Sequence, residues 1–183
     1  MTDDLALDAR TGLPDALRVL LQTYPRSEWD AHANFAGLVQ FWLERHMMFR
    51  KITALLREDA ERQMDGALDP EQQKARLARY GGALVNELHG HHQIEDHHYF
   101  PALSKMEPGL VRGFGILDKD HDAMDGLLDR FTRKANGVLR EGAEVGPFRE
   151  ELLSFDALLD RHLVDEEELI VPVILKHGPD GIH

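Results

Sequence analysis

Two segments of this chain repeat the same order of residues. HHQIEDHHYFP runs from His91 to Pro101 and HLVDEEELIVP from His162 to Pro172. Each opens on His, places Glu four residues later and Pro ten residues later. On an α-helix, residues i and i+4 share a face, so each segment presents an imidazole beside a carboxylate. Leu88 and Leu159 lie three residues before each His, and Tyr99 and Ile170 eight after, which marks that face as the buried one. Burying two ionised carboxylates without a compensating cation is very unfavourable. The fold must therefore set these two distant helices face to face around something positive.

The rest of the chain supplies the helices. WDAHANFAGLVQFWLERHMMFRKITALLREDAERQM carries Phe35, Leu38, Val39, Trp42, Phe49, Ile52, Leu55 and Leu56 at helical spacings and stops near Gly66. Asp69 as N-cap and Pro70 at the first helical position start a second helix, which runs to about Met106. Pro108 and Gly109 break it, and a third spans about 109–141 with Leu117, Met124, Leu127, Leu128 and Phe131. The fourth runs from Phe148 to Lys176, with Gly178 placed just past its end. Strand signals are nearly absent. Short connections between long helices predict an all-α, up-down-up-down antiparallel four-helix bundle. The expected organisation is a 1–29 extension with a short helix (PDALRVLLQTY), a 30–177 bundle and a 178–183 tail.

Counted along the helices at about 1.5 Å per residue, His46, His91, His121 and His162 fall at nearly one level, one per helix. With Glu95 and Glu166 they read as a two-metal site, with imidazoles as terminal ligands and carboxylates bridging. Cysteine is absent, so any metal here uses nitrogen and oxygen donors. That set suits Fe or Mn, with Zn also compatible. The alternative is a set of core or partly exposed histidines that coincide. In the second helix His92 and Asp96 form a rival i,i+4 pair; the proline spacing shared with His162 favours His91.

These residues resemble the haemerythrin-like, or HHE cation-binding, family over about residues 30–177. The resemblance implies that His46, His91, Glu95, His121, His162 and Glu166 ligate two Fe ions in a carboxylate- and oxo- or hydroxo-bridged centre. Oxygen-carrying haemerythrins have a fifth histidine one turn from the His on the third helix. Here those neighbours of His121 are Leu117 and Asp125, so the chain resembles the four-His, two-Glu branch, and Asp125 reads as a solvated acid. Among other residues, His98 reads as a supporting group, a gate or a partly exposed histidine. His89 and His97 are expected to face outward, and His32 to cap or pack at the bundle end. Trp42, Met47, Met48, Phe49 and Met124 read as core near the metal layer. Gly81, Gly82 and Gly90 either permit close approach or a channel, or are tolerated.

The resemblance implies binding or sensing of O2 or NO at an open coordination position. A second reading is a di-iron enzyme or repair protein acting on NO or peroxide, or delivering iron to damaged clusters; a third is iron storage or a structural metal. A ferritin-like site would need two Glu-x-x-His motifs plus two further glutamates; only Glu95/His98 fits, and Asp118/His121 fits loosely. The formal net charge of −12 disfavours nucleic acid. No apolar run is long enough to span a membrane, and MTDDLALDAR lacks the pattern of a secretory signal, so the cytoplasm is the expected location. A sensing role would need a separate signalling or redox partner. Residues 1–26 cover one bundle end or mediate dimerisation, leaving monomer and homodimer both open.

Overall fold

The computed structural model describes residues 4–182, and among them there is no strand. The helices are α1 (Val19–Thr23), α2 (Leu38–Met64), α3 (Pro70–Arg76), α4 (Gly82–Ile94), α5 (Phe100–Met106), α6 (Val111–Arg140) and α7 (Val145–His177). α3, α4 and α5 join through the π turns Leu77–Gly81 and Glu95–Tyr99 into one unbroken rod. Four rods result, joined by short turns. α2 packs against α3, α4 and α7, and α6 against α4 and α7.

Local chemistry sets most of the boundaries. Asp69 accepts hydrogen bonds from the N–H groups of Glu71 and Gln72 and starts α3, with Pro70 inside its first turn. Gly178, at φ 79°, ends α7, a backbone conformation that costs a residue with a Cβ. Gly37, at φ 66°, delays α2 until Leu38, eight residues later than the expected start at residue 30. The intervening chain forms short turns, and His32 accepts from the Asn34 N–H to cap the one at Ala33–Phe35. The expected N-terminal helix is also broken, into a turn at Asp15–Leu17 and the short α1. This segment follows the bundle surface, burying Leu13 and Leu17.

The apolar interior has two compartments. One holds Phe49, Leu88, Met124 and Leu163; the other holds Trp42, Phe100, Leu117 and Leu169. Each rod contributes to both, and between the two contributions each rod carries histidine or glutamate. The polar layer is therefore a slab across the bundle, closed above and below by hydrocarbon.

Candidate metal centre

Seven side chains fill the slab. His46, His162, Glu95 and Glu166 are fully buried, and His91, His92 and His121 nearly so. Their donor atoms fall into two groups, each spanning no more than 4.8 Å. His46, His91, Glu95 and Glu166 form one; His92, His121 and His162 form the other. The two glutamates lie between. Glu95 Oε1 is 2.9 Å from His91 Nε2, and its Oε2 is 3.4 Å from His121 Nε2. Glu166 Oε1 is 3.1 Å from His162 Nε2 and 3.2 Å from His121 Nε2, while its Oε2 is 3.4 Å from His46 Nε2. Each carboxylate thus faces imidazoles of both groups.

All six sequence candidates reach this layer. The structure adds His92, which the proline spacing ranked below His91. Successive helical residues diverge by about 100°, and at the centre of a bundle that lets His91 face α2 and His92 face α6 and α7. The His92 ring stacks on His121 at 3.9 Å and meets His162 edge-on at 5.2 Å. The fifth imidazole absent from the third rod is thus present on the second. Asp125 and His98 are exposed, and Asp125 faces His89 on the surface. With His98 outside, the ferritin-like donor pattern is not assembled.

The histidines' remote nitrogens are held by three acids: Glu167 and Asp120, which the sequence did not mark out, and Asp96, which it offered only as a rival ligand beside His92. Nδ1–H of His46 donates to Glu167 at 3.0 Å, that of His121 to Asp96 at 2.6 Å, and that of His162 to Asp120 at 3.0 Å. Such bonds select the tautomer that leaves Nε2 free toward the interior. A sequence signal was available: each motif carries a second acid directly after its glutamate, Asp96 and Glu167, and Asp120 directly precedes His121. Trp42 was expected to be core alone, yet its Nε1–H donates to Glu95 Oε1 at 2.7 Å.

The electrostatics match this division. Burial disfavours the charged His121, but hydrogen bonds with Asp96 and Glu166 and the field of both glutamates raise its pKa to about 10. Burial opposes the charge on His162 as well, and Glu166 and Asp120 raise it to about 9. Burial would lift Glu167, but His46 and Arg50 hold it down at about 2. His92 goes the other way: burial, reinforced by the positive fields of His121 and His162, pushes it well below the ordinary value. It is a neutral ring with neither nitrogen hydrogen-bonded.

The whole domain carries one signature. A family model, the Hemerythrin HHE cation binding domain, matches residues 37–174. The chain belongs to the haemerythrin HHE cation-binding family. No curated protein and no solved structure matches it. The HHE match begins at Gly37, where α2 is about to start, and leaves residues 4–36 outside the family pattern. No helix among the described residues is long and apolar enough to cross a membrane.

The site fits the cation that the family name implies. Glu95 Oε2, Glu166 Oε2, His162 Nε2 and both His92 nitrogens are buried without a hydrogen-bond partner. Unpartnered buried polar atoms are rare because each costs about 1–3 kcal/mol. Five such atoms lie in one slab on four side chains, and the two carboxylate oxygens, His162 Nε2 and one nitrogen of the His92 ring make a donor set for metal ions.

Proposed function

We propose that the protein is a di-iron centre that takes up O2 or NO reversibly at an open coordination position. The observation that carries this reading is the cluster of unpartnered imidazole and carboxylate atoms just described, divided into two donor groups that share two carboxylates. His46 and His91 would hold one ion, and His92, His121 and His162 the other, with Glu95 and Glu166 between them. Bound iron would supply the open position and the one-electron redox chemistry.

The chain's own residues do the rest. Glu95 and Glu166 offset cationic charge in a medium where charge is costly. Glu167, Asp96 and Asp120 aim three imidazoles, and the Trp42 N–H fixes the rotation of Glu95. The apolar compartments on either side keep water from the slab, which favours a small apolar gas over polar competitors. With both carboxylates shared between the ions, the group with two imidazoles would offer four protein donors against five, and is the place for an added ligand. A crevice of about 410 Å³ between α2 and α4, lined by Trp42, Arg45, Gly90 and Tyr99, leads to His91 on that same side. A Cβ at Gly90 would meet nothing within 4 Å, so the opening is real space.

The test is stopped-flow spectroscopy of anaerobically reduced, iron-loaded protein mixed with O2 and, separately, with NO. A spectral change that reverses when the gas is removed supports binding or sensing. Rapid irreversible oxidation, or steady turnover of NO or peroxide with a reductant, would overturn it in favour of an enzyme.

A further inference from the structure

We infer that the N-terminal extension, which lies outside the family match, is part of the metal centre, and that Arg10 is a positioning residue for His162. The inference rests on the metal-binding reading above.

Residues 4–17 do not cap an end of the bundle. They cross its side at the level of the polar slab. Leu7 is buried in one apolar compartment, and Leu13 and Leu17 in the other. Arg10 lies midway between Leu7 and Leu13 and enters where the slab reaches the α6–α7 face. Its side chain is only 2% exposed. Its guanidinium clasps Asp120 through both oxygens, donating from Nη1 at 2.8 Å and also from Nη2. Its Nε donates to Asp165 at 2.8 Å, and Nη1 also meets the Leu5 carbonyl at 2.9 Å. The side chains of Asp120 and Asp165 are 3% and 0% exposed. Without Arg10, Asp165 would keep Arg161 and Asp120 would keep the His162 Nδ1–H, with no guanidinium to hold its carboxylate in place.

Asp120 is the acid that accepts the His162 Nδ1–H at 3.0 Å. A bidentate guanidinium fixes both the position and the plane of a carboxylate, which an ammonium cannot do. The chain of contact therefore runs from the extension through Arg10 and Asp120 to the imidazole, and sets where Nε2 points. Partners of this kind are worth about 10- to 100-fold in metal affinity. Leu7 and Leu13 supply the hydrophobic force that keeps Arg10 inserted.

The experiment uses full-length protein loaded anaerobically with Fe(II), and reads the rate of iron transfer to a colorimetric chelator alongside circular dichroism. Arg10→Gln is expected to release iron about 10- to 100-fold faster than wild type while remaining helical. Arg10→Lys should fall between the two, since it keeps charge and loses the fork. Arg161→Gln, which disturbs the same segment through Asp165 and the Thr11 carbonyl, should release iron at nearly the wild-type rate. Equal acceleration in Arg10→Gln and Arg161→Gln would mean a general loosening and would overturn the assignment. So would a wild-type rate in folded Arg10→Gln. If Arg10→Gln does not fold, Asp120→Ala carries the test: Arg10 retains Asp165, His162 loses its acceptor, and a wild-type release rate again refutes the inference. A wild-type chain that binds no iron would refute the metal reading instead, a distinguishable result.

Discussion

The rod that carries His91 and the helix that carries His162 hold matching motifs on different backbones. α7 runs as a regular helix through His162, Glu166 and Pro172. The corresponding stretch of the second rod opens into a π turn at Glu95–Tyr99, where the Phe100 N–H bonds back five residues to Glu95. The extra residue shifts the buried face by one position. In α7 the residue eight after the motif histidine, Ile170, is buried as expected. In the second rod its counterpart Tyr99 is only half-buried, and Phe100 turns inward instead. π turns are frequent at functional sites, and this one sits directly below the only place where two consecutive histidines both reach the interior. Proline alone does not cause it, because α7 carries Pro172 at the same spacing and stays regular. Identical spacing therefore delivers His162, Glu166 and Glu167 from one helix, but His91, His92, Glu95 and Asp96 from the other.

The largest expected effect compares the two glutamates. Glu166 lies within 3.4 Å of three imidazoles, those of His46, His121 and His162. Glu95 approaches two, His91 and His121, and is held by Trp42 as well. Metal analysis should show Glu166→Ala retaining less than one ion per chain, and Glu95→Ala retaining more than Glu166→Ala. The reverse order would mean that the rod with the π turn, and not α7, anchors the centre.

Removing the metal should expose a pH dependence that is weaker in the loaded protein. In the metal-free chain His121 and His162 have pKa values of about 10 and about 9, against an ordinary 6.5 in the unfolded chain. Between these limits the folded state binds more protons than the unfolded state, so stability falls as pH rises. The stabilisation is complete below about pH 6.5 and is lost through pH 9–10. Glu167, held at about 2 against 4.5, acts oppositely, and its contribution is lost as pH falls through that range. Urea midpoints should therefore decline from pH 7 to 10 after chelation, and decline less with metal bound. The same protonation makes metal uptake release protons, observable as a pH drop in weakly buffered solution.

The adjacent histidines give the next contrast. His91 has close partners, Glu95 at 2.9 Å and His46 at 3.1 Å, whereas neither His92 nitrogen has a hydrogen bond. An apolar ring-sized replacement at His92 removes two orphaned polar atoms. His92→Leu is thus expected to raise the stability of the metal-free chain by about 1–3 kcal/mol while weakening metal retention. His91→Leu should lower both, because it removes the imidazole nearest Glu95 and leaves that buried carboxylate the Trp42 N–H and the more distant His121. Thermal melts with and without chelator, on both variants, separate the two positions. Loss of metal-free stability in His92→Leu would show that its ring packs better than its nitrogens cost.

Much of this was legible in the sequence, and for identifiable reasons. Helical period, glycine and proline placement specified the four rods, because those signals act within a few residues. The shared layer of the six candidate donors was legible because the same spacing occurs twice and the arithmetic of helix rise brings four histidines to one level. His92 was set below His91 on the assumption of one regular helix with one inward residue per turn, and the structure brings both rings to the layer. A bundle centre is wide enough to take two neighbours, and nothing in HHQIEDHHYFP announces the π turn. Asp120 and Glu167 looked like solvated acids in a chain with 33 acidic residues, and Asp96 was weighed as a rival ligand with His92, not as a partner of His121. Only the tertiary approach of a histidine distinguishes them. Arg10 lay furthest from view: its partners are 110 and 155 residues away, and no local pattern predicts a contact of that separation.

The smallest expected effect tests the cause of the π turn itself. Pro101 is exposed and Pro172 is buried among the apolar residues of α7. Pro101→Ala restores one backbone donor on the solvent side and leaves no cavity. A regained helical hydrogen bond contributes about 0.5–1.5 kcal/mol, so the melting temperature should rise slightly. If the widening is held by the side chains that reach the slab, and by the His97 ring donating to the Gln93 carbonyl at 2.7 Å, metal content and release rate will not change. If Pro101 were what keeps the rod open, its removal would let the helix close by one residue. Phe100 would rotate out, Tyr99 would rotate in, and Glu95 would lose its position against Trp42. The fluorescence of Trp42 reports on that contact, and Trp29, the other tryptophan, lies at the end of the bundle with its Nε1–H on the Tyr24 carbonyl, where the change would not reach. An unaltered emission spectrum in Pro101→Ala therefore assigns the difference between the two motifs to the residues that line the site, and a shifted one assigns it to the proline.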